Sequence, residues 1–377
     1  MSGHAPKGHH FIEISASPAS LLKWLLLCVA GVLGGFAGVL SVLLAQFLLV
    51  MGGSESSDKH GISSYQASRL GGVVIVGFVL FSLIWHAKFS GYAIFTPRLG
   101  DILLISIAFF VLGLFEDLKG LLRANVRFVL MLAMLTSFLL FVPQFILVKT
   151  GVTWLDESLL TIPFLAFLFT TLGLVFFVNA FNTADGANGL ISGISLFAVT
   201  GLCQIGVPGL TPLLVIAAIG CAIFMLFNIF VGRIFMGDGG AYFLGALVGF
   251  ALVLVSSEQV VSPWYLLCLV FYPHADLLFS MVRRKYSGNP MFGADNGHLH
   301  NLLFARLSSI TKSNRFANSL TGVIIAIMFS GLPLLLNNLV SSINWLYLYL
   351  VLWGAYFVVR AFCTAPITVQ SELSCNS

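Results

Sequence analysis

Long apolar runs carrying almost no charge, many of them close to 20 residues, follow one another along nearly the whole chain. An α-helix needs about 20 such residues to cross the hydrocarbon core of a bilayer. Transmembrane barrel strands would instead alternate apolar and polar residues. The runs therefore predict an all-α fold, a polytopic bundle of membrane helices. Charged residues make up only 8% of the 377, against about a quarter in soluble domains, and mean hydropathy is +1.02. A water-facing surface cannot be built from so few charges, which excludes a soluble enzyme, a secreted disulfide scaffold and a disordered chain. The net charge of +4 is spread thinly along the loops and points to no nucleic acid. The six cysteines form no CxxC pair and imply neither metal nor disulfide.

Counting by apolar length gives about eleven spans, near 22–51, 70–87, 101–116, 127–148, 159–178, 189–207, 211–231, 240–257, 263–281, 318–338 and 343–362. The first run is too long for a signal peptide and reads as a retained span. Its Gly31/Gly35 and Gly34/Gly38 pairs suggest close helix packing. An odd number of spans sorts the loops into two sets. Thirteen of the 18 Lys and Arg residues fall in one set, which the positive-inside rule makes cytoplasmic. The chain then reads as a single membrane domain over 1–377. It has an extracytoplasmic tail (1–20), a long cytoplasmic loop (282–317) and a cytoplasmic C-terminal tail (364–377).

Nearly every unusual polar cluster lies on the cytoplasmic side, which favours chemistry at one membrane face over a pathway through the middle. Lys59 and His60 stand in loop 52–69, either solvated or in contact with a phosphate or base. Glu116 and Asp117 sit where the third span leaves the membrane. Adjacent carboxylates there are costly and suit cation binding or base chemistry, unless Lys119 and Arg123 merely pair with them. In NAFNTADGANGL, Asn179, Asn182, Asp185 and Asn188 recur every third residue, so on a helix they share one face. Gly186 beside them allows a close backbone approach.

Asp238 lies among glycines in FNIFVGRIFMGDGG, where nothing crowds it, with Asn228 and Phe235 upstream. Asp276 falls inside a span, which marks it as paired or functional. Arg283 and Arg284 suit phosphate or anionic lipid headgroups, or simple topology. His298 and His300 are two apart, a spacing that favours a loop. There is no phosphate-binding glycine loop, dinucleotide fingerprint or HExxH.

Carboxylates, a basic strip, a histidine pair and asparagines together make a hard-cation site for an anionic substrate. Mg2+ takes few protein ligands and completes its shell with phosphate and water. A nucleotide diphosphate and a lipid phosphate are the natural partners at a bilayer edge. These residues also carry a resemblance. Over about residues 55–305, five ordered motifs resemble those of the polyprenyl-phosphate N-acetylhexosamine-1-phosphate transferases. They are FEDLKGLLRANVR, NAFNTADGANGL, FNIFVGRIFMGDGG, ADLLFSMVRR and DNGHLHNLL. The HLH spacing is closer to the WecA-like branch than to the MraY branch.

The resemblance implies transfer of a sugar 1-phosphate from a UDP-N-acetylhexosamine to undecaprenyl phosphate, with release of UMP and with Mg2+ or Mn2+. It also implies an active site on the cytoplasmic face of a bacterial inner membrane, in a chain surrounded by membrane lipids and able to form a homodimer. Asp117 matches the base or nucleophile, with Glu116 beside it, and Asp238 the metal ligand, shared with Asp117. Asp185, Gly186, Asn188, Asn228 and Phe235 match the nucleotide pocket, and His298 and His300 the substrate-phosphate loop. Glu116 replaces the first Asp of the family's pair, Asn301 the third His of its loop, and Val231 a proline. The rival readings are the peptidoglycan-precursor transferase of the MraY branch and a nucleotide-sugar or lipid-linked-sugar transporter. A transporter would place polar groups near the midplane of two repeated halves, and no internal repeat is apparent.

Overall fold

The computed structural model describes residues 18–51, 68–89, 96–258, 261–289, 295–311, 313–340 and 343–365. Lys59 and His60 lie outside the described residues, as do most of both tails. The described chain is helical from end to end. Its helices are α1 (Pro18–Met51), α2 (Gly71–Phe89), α3 (Pro97–Lys119), α4 (Ala124–Phe141) and α5 (Thr153–Thr161), then α6 (Pro163–Ala184), α7 (Leu190–Ile205), α8 (Thr211–Val231) and α9 (Gly237–Glu258). After these come α10 (Pro263–Leu269), α11 (Phe271–Tyr286), α12 (Leu299–Ile310), α13 (Asn314–Ala326), α14 (Leu332–Leu339) and α15 (Trp345–Thr364). A π-turn at Ile327–Gly331 joins α13 to α14, so that Asn314–Leu339 forms one span.

A helix stands at each of the eleven expected spans, but fewer than eleven qualify as crossings. Among the described residues nine are long and apolar enough, or ten if the bent pair α10 and α11 is one span. The sixth expected span is α7, with only 16 residues. The ninth is broken by an 83° bend between α10 and α11. An apolarity count registers neither feature, because a break costs no hydropathy. Pro273 sits in the first turn of α11, where its missing N–H is no loss.

The bundle is built around α9, of whose apolar window 94% is buried, against 28% for α1 and 11% for α15. A helix that is apolar all round belongs in the interior, and α9 also carries glycines where its neighbours press closest. A Cβ on Gly72 of α2 would lie 2.3 Å from the Gly240 nitrogen, and one on Gly113 of α3 would lie 2.4 Å from the Asp238 carbonyl oxygen. Backbone-to-backbone contact of this kind replaces the hydrophobic drive that lipid-facing helices lack. Exposed Val32, Phe36 and Val50 of α1 face outward, as a lipid-contacting helix requires.

A short parallel bridge between Ser68 and Ile234 locks the entry of α2 to the α8–α9 connection. Ser68 donates to the Arg233 carbonyl (3.0 Å) and accepts from the Phe235 amide (2.8 Å), and the Gly71 and Gly72 amides donate to Phe235 and Met236. Orphan donors at the start of α2 are thereby satisfied, and Arg69 is held beside the start of α9.

Candidate functional site

The ends of α3 and α6 and the beginnings of α4 and α9 meet at one point. Asp117, in the last turn of α3, accepts the amides of Asp238 (2.9 Å) and Gly239 (2.8 Å), one with each carboxylate oxygen. Asp185, which closes α6, accepts the Gly237 amide at 3.2 Å. Two carboxylates therefore grip three successive amides at the positive end of α9. Gly237 has φ +73°, and a Cβ there would lie 2.1 Å from the Arg69 carbonyl, so only glycine fits this turn. The Asp238 carboxylate pairs with Arg127 of α4, which also stands 3.9 Å from Glu116. Glu116 accepts the Leu122 amide at 2.9 Å and fastens the α3–α4 turn.

Four carboxylates thus share two nearby arginines, Arg69 and Arg127. The imbalance is visible at Asp185. Burial, and then the charge of Asp117 and Asp238, push its carboxyl up to about 7, against the opposing Gly237 amide and Arg69. The folded chain keeps this proton above the pH at which the unfolded chain loses it. Without divalent cations, stability is therefore expected to fall as pH rises from about 4 to about 7. Thermal unfolding of detergent-solubilised protein at pH 5 and pH 8 should show this fall, and Asp185→Asn should make it shallower. An unchanged slope in the variant would locate the effect elsewhere.

The surplus negative charge suits a divalent cation. Among the described residues no three His, Cys, Asp or Glu side chains converge to hold a metal ion. Asp117 and Asp238 at the start of α9 are the carboxylates that could hold such a cation, a number that leaves substrate oxygens to complete its shell. A carboxylate has about four acceptor sites, so Asp117 retains capacity beyond its two amide bonds.

A cavity of about 570 Å³ opens beside this cluster, between α4, α6, α11 and the turn before α12. Arg127, Asn179, Asn182, Arg284, Asp295 and His298 supply its polar lining. Arg284 is only 9% exposed, so it belongs to the cavity rather than to a headgroup-facing strip. Arg283 pairs with Asp295 at the rim. His298 precedes α12 and His300 falls in its first turn, where a loop was expected for both. Their rings stack 5.6 Å apart. His300 Nδ1 lies 2.8 Å from the Tyr272 hydroxyl, and its Nε2 lies against Gly186. A Cβ on Gly186 would sit 2.1 Å from that nitrogen. Gly186→Ala is therefore expected to displace His300 and to lower any turnover at this site by about tenfold or more. Turnover equal to wild type would show that the His300 contact is idle.

Further expectations change with the fold. Helix α6 ends at Ala184, so the four residues spaced by three do not share a face. Asn179 and Asn182 line the cavity, Asp185 turns to α9, and Asn188 lies behind it. The Asn188 amide donates to Asn318 (2.7 Å), and its side chain donates to Ser319 (3.2 Å). Asn228 accepts the Gly189 amide at 2.5 Å and donates to the Ile234 carbonyl. Both side chains are buried, where they brace the α6–α7 and α8–α9 connections instead of facing a ligand. Phe235 enters the site through its backbone, in the bridge to Ser68. Asp276, 1% exposed, is paired behind His298 and has no open side towards a ligand.

Sequence reading gives Arg69, Arg127, Tyr272 and Tyr356 no role at the site. Arg69 and Arg127 are absorbed by the positive-inside count, and the tyrosines vanish among aromatic membrane residues. Arg127 alone gave a signal, as the charge that opens the apolar run 127–148.

The model of the family described as "Glycosyl transferase family 4" matches residues 100–256. This segment carries Glu116, Asp117, Asp185 and Asp238, the carboxylates gathered around α9. Over this segment the chain is similar to that family. It is 24% identical over 288 residues to a probable undecaprenyl-phosphate N-acetylglucosaminyl 1-phosphate transferase of Bacillus subtilis, covering 71% of this chain and 74% of that protein. It is 28% identical to the decaprenyl-phosphate N-acetylglucosaminephosphotransferase of Mycobacterium tuberculosis, over 66% of this chain and 67% of that protein. It is 29% identical to a phospho-N-acetylmuramoyl-pentapeptide-transferase of Francisella tularensis, over 59% and 67%. The family match ends before the histidine turn and before α15.

Proposed function

We propose that this protein transfers an N-acetylhexosamine 1-phosphate, with N-acetylglucosamine the first candidate, from a UDP-sugar to undecaprenyl or another polyprenyl phosphate, releasing UMP. One observation carries this reading: a cluster of four carboxylates sits at the end of a buried membrane helix, beside a cavity lined by arginine, asparagine and histidine. Such a site receives two anionic phosphates, one of them from the lipid phase. The chain is a multi-pass membrane protein, and the positive-inside count favours a cytoplasmic site at a bacterial inner membrane.

Asp117 holds the proton of the lipid phosphate or orients its attacking oxygen. Arg284 and Arg127 attract the diphosphate, Arg127 by exchanging Asp238 for a phosphate oxygen. Asn182 offers its amide, and Asn179, whose N–H2 is held by the Val175 carbonyl, its amide oxygen, to the base or sugar. Asp238 and Asp117 would hold Mg2+ or Mn2+, which when bound neutralises charge on the diphosphate. This arrangement supports synthesis of a cell-surface polysaccharide in the WecA-like manner.

The test is UMP release by purified protein with undecaprenyl phosphate, Mg2+ and a panel of UDP-N-acetylhexosamines, including UDP-N-acetylmuramoyl-pentapeptide. UMP is expected only when lipid, metal and an N-acetylhexosamine donor are all present. UMP with the pentapeptide donor alone would place the chain with the Francisella relative. No UMP from folded protein with any donor would overturn the transferase.

A further inference from the structure

Asp276 is a carboxylate fully enclosed by protein and clamped on both oxygens. Oδ1 accepts the Leu299 amide (2.9 Å) and the Tyr356 hydroxyl (2.8 Å), and Oδ2 meets His298 Nδ1 at 2.7 Å. An ionised carboxylate only accepts hydrogen bonds, so Nδ1 of His298 must carry the proton. The Ser280 hydroxyl lies 3.2 Å from the same nitrogen. Nε2 is then the open nitrogen. Its nearest ionic neighbour, Asp295, is 3.8 Å away, too far for a hydrogen bond, and His298 lines the cavity. Tyr356 comes from α15, outside the residues matched by the family model, and is itself wholly buried.

We propose that Tyr356 is a positioning residue: through Asp276 it holds His298 with Nδ1 protonated and Nε2 presented to the substrate cavity. The last described helix of the chain thereby sets the proton chemistry of a pocket built by other helices. The imidazole could rotate or change tautomer if its carboxylate partner were loose, because a histidine's second nitrogen follows the bond made by its first. With Tyr356, Leu299 and His298 each taking a place on Asp276, the carboxylate has no second orientation.

Removing the Tyr356 hydroxyl strips one donor from a buried carboxylate. The remaining charge then bears more strongly on His298 and favours the imidazolium. The other charged and titratable groups at this place are Asp295, Arg283 and Arg284 on the cavity side, His300 stacked on the ring, Tyr272 behind it, and Arg360 beside Tyr356. Arg360 loses its bond to the Tyr356 hydroxyl in the substitution but keeps its charge, and the other groups keep theirs.

The kinetic arm of the test rests on the transferase reading, and the spectroscopic arm does not. Full-length protein labelled with 15N-histidine is compared as wild type, Tyr356→Phe and Tyr349→Phe. In the last of these the lost hydroxyl, on the same helix, serves His274 at 3.0 Å instead. His298→Gln assigns the resonance among the eight histidines. In wild type the His298 nitrogens should report the Nδ1-protonated form. In Tyr356→Phe the midpoint of its titration should rise by about half to one pH unit, while Tyr349→Phe leaves it in place. In UMP release, the histidine-dependent limb of the kcat profile should move to higher pH by the same amount, with KM for both substrates within about twofold. A wild-type His298 protonated on Nε2, or a Tyr356→Phe titration and profile identical to wild type, would overturn the proposal. Absence of turnover with every donor would count against the transferase alone, and the nitrogen shifts would still decide the role of Tyr356.

Discussion

Asp117→Asn protein is expected to remain folded and to lose about a hundred- to ten-thousandfold in kcat. Asp117 has two functions in the structure, and the experiment separates them. As a cap it accepts the amides of Asp238 and Gly239. Asn keeps one acceptor but turns its own N–H2 towards the second amide. The loss of one hydrogen bond to a charged acceptor costs about 1.5–3 kcal/mol, a lower melting temperature but not an unfolded protein. As an acid–base group or cation ligand, Asn supplies neither function. Turnover and melting temperature should therefore fall out of proportion, turnover far more. Asp238→Asn is expected to match it in turnover, since it removes the partner of Arg127 as well as the second candidate ligand. A variant at Asp117 that retained more than about a tenth of wild-type kcat would leave this residue as a helix cap and move the chemistry elsewhere.

The second large effect is on packing. Gly113→Ala places a Cβ 2.4 Å from the carbonyl oxygen and 2.5 Å from the carbonyl carbon of Asp238, and 2.6 Å from the nitrogen of Gly239. All three atoms are backbone, so no side chain can swing aside. Helices α3 and α9 must part by about an ångström, and overpacking of this kind costs about 1–3 kcal/mol or more. The displaced atoms belong to the residues that Asp117 holds, so turnover should collapse together with stability. Gly100→Ala, on the same helix, meets nothing within 4 Å. It should leave the melting temperature unchanged or raise it slightly, since alanine is the better helix former by about 1 kcal/mol. Equal behaviour of the two variants in a detergent melting assay would sink the packing argument.

Much of this protein was legible without a structure. The class and the helix positions follow from hydropathy, because backbone groups in a bilayer must pair within their own helix. Asp117, Asp185 and Asp238 stood out because a carboxylate at a membrane boundary is too costly to be incidental. Of the histidines and the basic strip, His298 and Arg284 stand in the cavity wall. The asparagines were only half legible. Asn179 and Asn182 face the cavity, whereas Asn188 and Asn228 brace two loops, and residue type alone does not separate a ligand contact from a buried brace. That difference depends on where α6 ends, which the three-residue spacing hides.

What the sequence by itself determined is the solvent in which each segment is stable, and hence the bundle of membrane helices. Only the tertiary structure decided which polar groups meet. It put Arg127 on Asp238, Asp117 on the first amides of α9, and Tyr356 on Asp276 from 80 residues away. The physical reason is range. Hydropathy sums over single residues and survives any arrangement of the helices. A hydrogen bond or ion pair exists only within about 3 to 4 Å, and that distance is set by how glycines let α2, α3 and α9 close on one another.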